Sequence, residues 1–294
     1  MKIRFIVNPN AGAGDRAGEI TQAVRETFGD SEGLFEVKST LKKGDAKRLA
    51  REAVEGGYKV VFACGGDGTI NEVASQLVST ETVLGIIPGG SGNGLSRALK
   101  IPFNAKEAVG LAKKGRVRAI DAGIMDGRYF FSTAGLGFDA HLSMKYDKRS
   151  SGRRGILPYV PLAVLEFFRF KPEPLTLALG ENKFSRITPF MLTVANTEEF
   201  GGSAIIAPGA VPDDGLLDLC VIKDIGFGSA IMTARKILNG SIETSKHYQR
   251  ILTPSAKVRR SKPGAAHVDG EPFMAGETIE FGLLPKSLNV LIKQ

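Results

Sequence analysis

Apolar strand-like runs alternate with helix-like ones along the first part of the chain: Lys2–Val7, Arg16–Phe28, Leu34–Ser39, Asp45–Glu55, Lys59–Cys64, Ile70–Val78 and Val83–Ile87. Neighbouring parallel strands need a crossover between them, and here each crossover reads as a helix, so this rhythm selects an α/β fold with a largely parallel sheet. A helix over Asn104–Lys114, with Ala105, Ala108, Val109, Leu111 and Ala112 on one face, and a strand over Val117–Ile124 complete that part. Beyond Ile124 the rhythm changes to short β-rich runs (Tyr129–Thr133, Leu175–Ala178, Thr188–Ala195, Leu216–Ile222) divided by Gly, Pro and Asp turns, with helical stretches near Pro158–Phe168 and Phe227–Leu238. The expectation is an α/β domain over residues 1–124 and a mainly β domain over 125–277, with 278–294 packing back on the first.

A chain of 294 residues, 43% hydrophobic and 24% charged, is long enough for two such cores. Its formal charge of +8 favours anionic partners: nucleotides, nucleic acids or acidic lipid headgroups. With five Tyr, no Trp and no recognised module, nucleic-acid binding is not expected. Cys64 and Cys220 lack metal-ligand spacing and read as buried apolar side chains in a reducing compartment. Lys2–Val7 is too short for a signal peptide, and Gly155–Phe170, interrupted by Pro158, Pro161, Glu166 and Arg169, is too short to span a bilayer. Within it, Leu162, Leu165, Phe167 and Phe168 read either as a core stripe or as an apolar surface that meets the bilayer or a lipid tail. Lys145, Lys148, Arg149, Arg153 and Arg154 are expected in a mobile loop with Ser150, Ser151 and Gly152, and Lys257, Arg259, Arg260 and Lys262 form a second basic run. Both read as solvated faces or as contacts for anionic lipid. His141, His247 and His267 show no metal spacing and no nucleophile partner.

Three glycine-rich turns follow strands. Asn8-Pro9-Asn10-Ala11-Gly12 after the first strand suits backbone approach to phosphate, though a plain turn uses similar residues. Gly65-Gly66-Asp67-Gly68-Thr69-Ile70-Asn71-Glu72 brackets a carboxylate with bare backbone donors at a helix start, a pattern for cradling phosphate and holding magnesium. Pro88-Gly89-Gly90-Ser91-Gly92-Asn93-Gly94 repeats the device one βα unit later. No loop ends in Gly-Lys-Ser/Thr, so this is not a Walker A site, and no dinucleotide fingerprint is present.

In this order and spacing, Asn-Pro-x-x-Gly, Gly-Gly-Asp-Gly-Thr-x-Asn-Glu-Val and Gly-Ser-Gly-Asn resemble the catalytic domain of the diacylglycerol kinase and sphingosine kinase superfamily. The resemblance extends to Val211-Pro212-Asp213-Asp214-Gly215-Leu216-Leu217-Asp218 and Val268-Asp269-Gly270-Glu271-Pro272. It implies a phosphofructokinase- or NAD kinase-like α/β domain followed by a β-sandwich, with ATP in the interdomain cleft and magnesium present. By that resemblance Asn8, Pro9, Asn10, Ala11, Gly12, Thr40, Gly66, Asp67, Gly68, Thr69, Ile70, Asn71, Glu72, Ser91, Gly92 and Asn93 contact nucleotide. Asp67 acts near the metal-bound phosphates, and Asp269 matches the general base, although Asp-Gly is by itself a common hairpin turn. Val211 and Leu216 by their carbonyls and Asp214 by its side chain match a structural magnesium site, with Asp121 joining that network.

Many bacterial members carry Asp after the Asn of the third motif, where this chain has Gly94. The implied activity is transfer of the ATP γ-phosphate to a hydroxyl of a membrane lipid, diacylglycerol-like or sphingoid, by a cytoplasmic protein peripherally associated with the membrane. A homodimer is left open. The rivals are an NAD kinase-like enzyme with a soluble substrate and a catalytically silent nucleotide- or lipid-binding regulator.

Overall fold

The computed structural model describes residues 2–12, 15–29, 33–90, 92–149, 159–180, 183–223 and 225–294. Its contacts divide the chain into two compact units, Met1–Ala122 with Pro285–Gln294, and Gly123–Leu284.

In the first unit β1 (Ile3–Val7), α1 (Arg16–Phe28), β2 (Phe35–Ser39), α2 (Asp45–Glu55), β3 (Val60–Gly65), α3 (Asp67–Leu77), β4 (Val83–Pro88), α4 (Gly94–Ala98) and α5 (Ala105–Lys114) follow one another. The sheet order β2-β1-β3-β4 is parallel throughout, as the alternation required. Every residue of β1 and β3 is buried, and the Phe5 and Phe62 rings stack with centroids 4.7 Å apart. Gly85 on β4 admits the Phe62 ring, since a Cβ there would lie 2.4 Å from it. Side chains close the helix starts: Asp15 accepts from the Gly18 N–H at 2.9 Å, and Asn104 from the Glu107 N–H at 3.1 Å.

β5 (Arg116–Met125) begins in the first unit and ends in the second, which continues with β6 (Arg128–Phe130), β7 (Thr133–Gly137), α6 (Phe138–Arg149), α7 (Tyr159–Arg169), β8 (Leu175–Leu179), β9 (Lys183–Ile187), β10 (Pro189–Ala195), β11 (Leu217–Lys223) and α8 (Phe227–Leu238). Then come β12 (Tyr248–Thr253), β13 (Ala256–Arg260), β14 (Gly264–Val268), β15 (Glu271–Ala275) and β16 (Thr278–Ile292). One antiparallel sheet runs β12-β11-β10-β7-β14-β15. In the other, β13 lies between β8 and the first half of β16, with β9 outside β8. Leu192, Val194, Leu217, Leu219 and Ala266 of the first sheet share a core with Leu175, Leu177, Val258, Ile279 and Phe281 of the second, so the unit is a β-sandwich. On the outer face of the β12–β15 sheet, Phe190, Cys220 and Ile222 pack with Phe138, Phe167 and Ile237 from helices. The second half of β16 pairs in parallel with β4, Val290 opposite Leu84, and so belongs with the first unit.

Two sequence expectations are corrected. The run Tyr129–Thr133 is not one strand: β6 ends at Phe130 and β7 starts at Thr133, because the intervening amides turn toward the Asp269 carboxylate. Lys145, Lys148 and Arg149 lie on α6 rather than in a loop, while Ser150–Arg154, like Ala13, Gly14, Ser91 and Pro158, fall outside the described residues. The second basic run is largely engaged: Arg260 donates to the carbonyls of Gly264, Ala265, Ala275 and Gly276, and Lys257 and Lys262 pair with Glu280 and Glu173. Burial lowers the Arg260 pKa. Both cysteines are buried, and burial pushes the Cys220 thiol up to about 12.

Candidate active site

The three glycine-rich turns emerge at the carboxyl ends of β1, β3 and β4, the edge of a parallel sheet where ligands bind. The sheet ladder continues into them: Asn8 N–H donates to the Cys64 carbonyl at 2.9 Å, and Gly89 N–H to Gly65 at 2.8 Å. Side chains then tie loop to loop. Asn8 Nδ2 donates to Thr69 Oγ1 at 3.1 Å, while its Oδ1 accepts the Asn10 N–H at 3.0 Å. Asp67 spends its carboxylate on the third loop, Oδ2 accepting the Asn93 N–H at 2.8 Å and Oδ1 the Gly94 N–H at 3.0 Å. Asn93 is wholly buried at φ 56°, and its side chain exchanges hydrogen bonds with the Gly90 backbone.

Glycine is required where backbones meet. A Cβ on Gly90 would lie 2.7 Å from Gly66 Cα, and one on Gly12, at φ 89°, would lie 2.9 Å from the Gly89 carbonyl oxygen. The cap of α3 is Gly66, with no side chain to satisfy the helix's first amides, and a helix opening in this way attracts anions. Arg16, which sequence reasoning passed over, crosses from the first loop to donate to the Pro88 carbonyl at 2.7 Å. Its signal was position: a cation on the first residue of the helix leaving a glycine-rich loop.

Not every predicted nucleotide contact faces the loops. Ile70 and Ala11 are in the core, and Thr40 is buried with its N–H bonded to the Val7 carbonyl at 2.8 Å. Asn71 Oδ1 accepts from Ser75 Oγ at 3.3 Å. Glu72 caps the neighbouring helix α2, accepting the Gly44 N–H at 3.1 Å and the Lys47 N–H at 3.3 Å. Pro9, Asn10 and Gly12 are exposed; Gly68 lies on α3, and the Gly92 carbonyl accepts from Arg97 Nε at 3.2 Å.

In the second unit, Asp269 and Gly270 make the tight turn joining β14 to β15, with φ of 46° and 82°. The Asp269 side chain folds back to accept three successive amides. Oδ1 takes the Ser132 and Thr133 N–H groups at 2.8 and 3.1 Å, and Oδ2 takes that of Phe131 at 3.0 Å. Asp269 is thus both a turn residue and a carboxylate in a fixed orientation. Two residues back, buried His267 hydrogen-bonds Asp139 Oδ2 through Nε2 at 3.0 Å, beneath Gly135. Asp139 also accepts from Thr193 Oγ1 at 3.0 Å.

Asp214 Oδ1 accepts the Leu216 N–H at 2.9 Å, an Asx turn, and Val211 is exposed nearby in sequence. Asp121 belongs to the first unit, fully buried, with Oδ1 accepting the Lys286 N–H at 2.7 Å. Among the described residues no three His, Cys, Asp or Glu side chains converge as a metal site.

Residues 2–125 match the family model for the diacylglycerol kinase catalytic domain, and residues 132–292 match that for the YegS C-terminal NAD kinase beta sandwich-like domain. A Pectobacterium atrosepticum protein described as "Probable lipid kinase YegS-like" is 31% identical over 97% of this chain and 94% of its own. An Enterobacter protein of the same description is 29% identical over 87% and 85%. The crystal structure of a diacylglycerol kinase from Bacillus anthracis superposes with a TM-score of 0.73 at 21% identity, covering 99% of this chain and 97% of that one. That of a protein described as a "putative diacylglycerol kinase" from Bacillus anthracis str. Sterne reaches a TM-score of 0.79 at 24% identity, covering 99% and 97%, and at these identities the two establish the fold. Fold, loops and catalytic-domain match together define a kinase, a phosphotransferase acting with ATP as donor. The chain belongs to the YegS-like family of lipid kinases.

Proposed function

We propose that the protein transfers the γ-phosphate of ATP to a hydroxyl of a membrane lipid, diacylglycerol-like or sphingoid, at the cytoplasmic face of the membrane. The observation that carries this reading is the braced cradle of the first unit: bare amides at the start of α3, glycine backbones in contact, and Asp67 holding the Asn93 and Gly94 amides in place. Phosphoryl transfer asks a protein chiefly to position phosphate and stabilise its charge, and a rigid set of backbone donors does both. Asn8, Gly12, Gly66, Thr69 and Asn93 surround that cradle, and Arg16 adds a cation to it.

Asp269 is the proposed general base, accepting the proton of the lipid hydroxyl. Three amides hold its carboxylate in one orientation, which is the positioning a base needs. The Val211–Leu216 turn offers a hard, oxygen-only donor set, the Asp214 carboxylate with the Val211 and Leu216 carbonyls, and this suits magnesium that keeps several waters. Bound there, magnesium would brace the turn; with ATP, it would neutralise phosphate charge.

The test is purified protein with magnesium, γ-labelled ATP, a panel of hydroxyl-bearing lipids in mixed micelles, and NAD as a soluble acceptor. Label in one lipid that disappears in Asp67→Ala and Asp269→Asn supports the proposal and names the lipid. Label in NAD alone would overturn it in favour of a soluble substrate, and ATP binding without transfer to any acceptor would favour the silent regulator.

A further inference from the structure

Strand β7 runs between β10 and β14, and its middle rung lacks a side chain. Gly135 of β7 stands opposite Thr193 of β10 on one side and His267 of β14 on the other. Glycine inside a strand leaves its neighbours nothing to pack against. Here another element fills the gap. Asp139, on the first turn of α6, lays its carboxylate over Gly135, where a Cβ would lie 2.4 Å from Asp139 Oδ2 and 2.7 Å from His267 Nε2. Oδ2 accepts from Thr193 Oγ1 and from His267 Nε2, both at 3.0 Å, so one oxygen ties together the strands on either side of β7. His267 Nδ1 is buried with no partner among the described residues, which places the imidazole proton on Nε2, facing the carboxylate.

This rung lies two residues short of the Asp269 turn. The β7–β14 ladder ends where the Asp269 N–H donates to the Thr133 carbonyl at 2.7 Å, and there the Asp269 carboxylate takes the Phe131, Ser132 and Thr133 amides. The same peptides are held from the β10 side: the Ser132 carbonyl accepts the Asn196 N–H at 2.8 Å, and the Phe131 carbonyl accepts Asn196 Nδ2 at 3.3 Å. The segment that aims Asp269 is therefore gripped between the continuations of β14 and β10, the two strands that Asp139 joins. An apolar rung would hold three strands in one sheet at less cost than a nearly buried carboxylate and a buried imidazole. Hydrogen bonds are directional where apolar contact is not, so this carboxylate fixes the strands to the precision that a reacting group needs.

We propose that Asp139, with His267 and Thr193 as its donors, is a positioning residue that holds Asp269 at the angle from which it accepts the proton of the substrate hydroxyl. This rests on the reading of Asp269 as the base and adds the part of the molecule that aims it. The three side chains act through Asp269 rather than on the substrate.

The experiment takes two readouts on the full chain. One is transfer from γ-labelled ATP to diacylglycerol or a sphingoid base in mixed micelles, expressed per folded molecule from urea unfolding. The other is hydrogen exchange of the Phe131, Ser132 and Thr133 amides by NMR, which needs no substrate. Asp139→Ala should lower kcat about 10- to 100-fold with the KM for ATP within about threefold, and should speed exchange of those amides about tenfold. Its effect on kcat should shrink to less than about twofold in an Asp269→Asn background, because no base remains to aim. His267→Leu should follow Asp139→Ala, and His267→Gln, whose side-chain amide donates in place of the Nε2–H, should recover most of what His267→Leu loses. Thr193→Val keeps the shape and removes one donor, so it carries the same tests if Asp139→Ala does not fold. Equal losses of kcat in the parent and Asp269→Asn backgrounds are what a merely structural role gives, and would overturn the proposal. Unchanged amide exchange in Asp139→Ala would also overturn it, whether or not either lipid is phosphorylated. Parent-like turnover in Asp269→Asn would overturn the base reading, whereas a dead Asp269→Asn beside a parent-like Asp139→Ala would overturn only the positioning role.

Discussion

Replacing Asp269 with Asn separates a brace from a base. The turn conformation survives, since Asn accepts a φ of 46° as readily as Asp does. Asn can keep one carbonyl oxygen for the Ser132 and Thr133 amides, at 2.8 and 3.1 Å in the parent, but its amide nitrogen then faces the Phe131 N–H, which now donates to Oδ2 at 3.0 Å. One charge-assisted hydrogen bond is lost and the others weaken, a cost of about 1.5–3 kcal/mol. From a starting stability of about 5–15 kcal/mol, that leaves roughly 97% or more of the molecules folded. A purely structural role therefore predicts almost unchanged turnover at assay temperature. A general base predicts kcat lower by roughly 10²–10⁴ with the KM for ATP little changed. Urea unfolding and steady-state transfer to lipid in mixed micelles measure both. Destabilisation with kcat within about threefold of the parent would refute the base assignment, and unchanged stability would refute the three-amide account.

Asp67→Asn should cost about 2–4 kcal/mol in urea unfolding and weaken ATP binding by calorimetry, because one of the Asn93 and Gly94 amides loses its acceptor; unaltered affinity would show that the third loop needs no such brace. Gly90→Ala should lower ATP affinity about tenfold or more while leaving most stability intact, since a Cβ 2.7 Å from Gly66 Cα must push the two loops apart; parent-like titrations would contradict this. Burial opposes ionisation of Glu36, but hydrogen bonds from Lys38, Tyr58 and Arg4 outweigh it and hold its carboxyl down to about 2, from an ordinary 4.5. A depressed carboxyl stabilises the fold above about pH 4.5 and loses that contribution as pH falls toward 2, so Glu36→Gln should cost about 1 kcal/mol at pH 7, allowing for solvent screening, and progressively less in acid. An equal cost at pH 7 and pH 2.5 would contradict that linkage.

The α/β class and parallel sheet were legible in the sequence, because hydrophobic period and glycine punctuation are local properties. The second unit was legible as β-rich and little further. Strands β12, β13 and β16 were missed because their pairings join segments distant in sequence, such as Ala256 with Leu179 and Phe281, whereas β14 and β15 form a local hairpin of which only the Asp-Gly turn was read. The basic end of α6, from Lys145 to Arg149, was read as loop from its charges, although the helix begins at Phe138, which stacks on Phe190 of β10. Within the site, Asp67 stood out because glycine on both sides of a carboxylate is unusual as a turn alone, whereas Asn8, Asn93 and Asp269 were singled out by the family resemblance, since Asp-Gly is by itself a common hairpin turn. What each carboxylate touches was not legible. The bond from Asp67 to Asn93 and Gly94 spans more than twenty residues, that from Asp269 to Phe131–Thr133 more than a hundred, and Glu72 left the loop to cap another helix. Local sequence determined which segments became strands, helices and glycine turns, because backbone sterics and burial period act over a few residues. Which side chains brace those turns was decided only by the tertiary structure, because hydrogen-bond partners are chosen by distance in space.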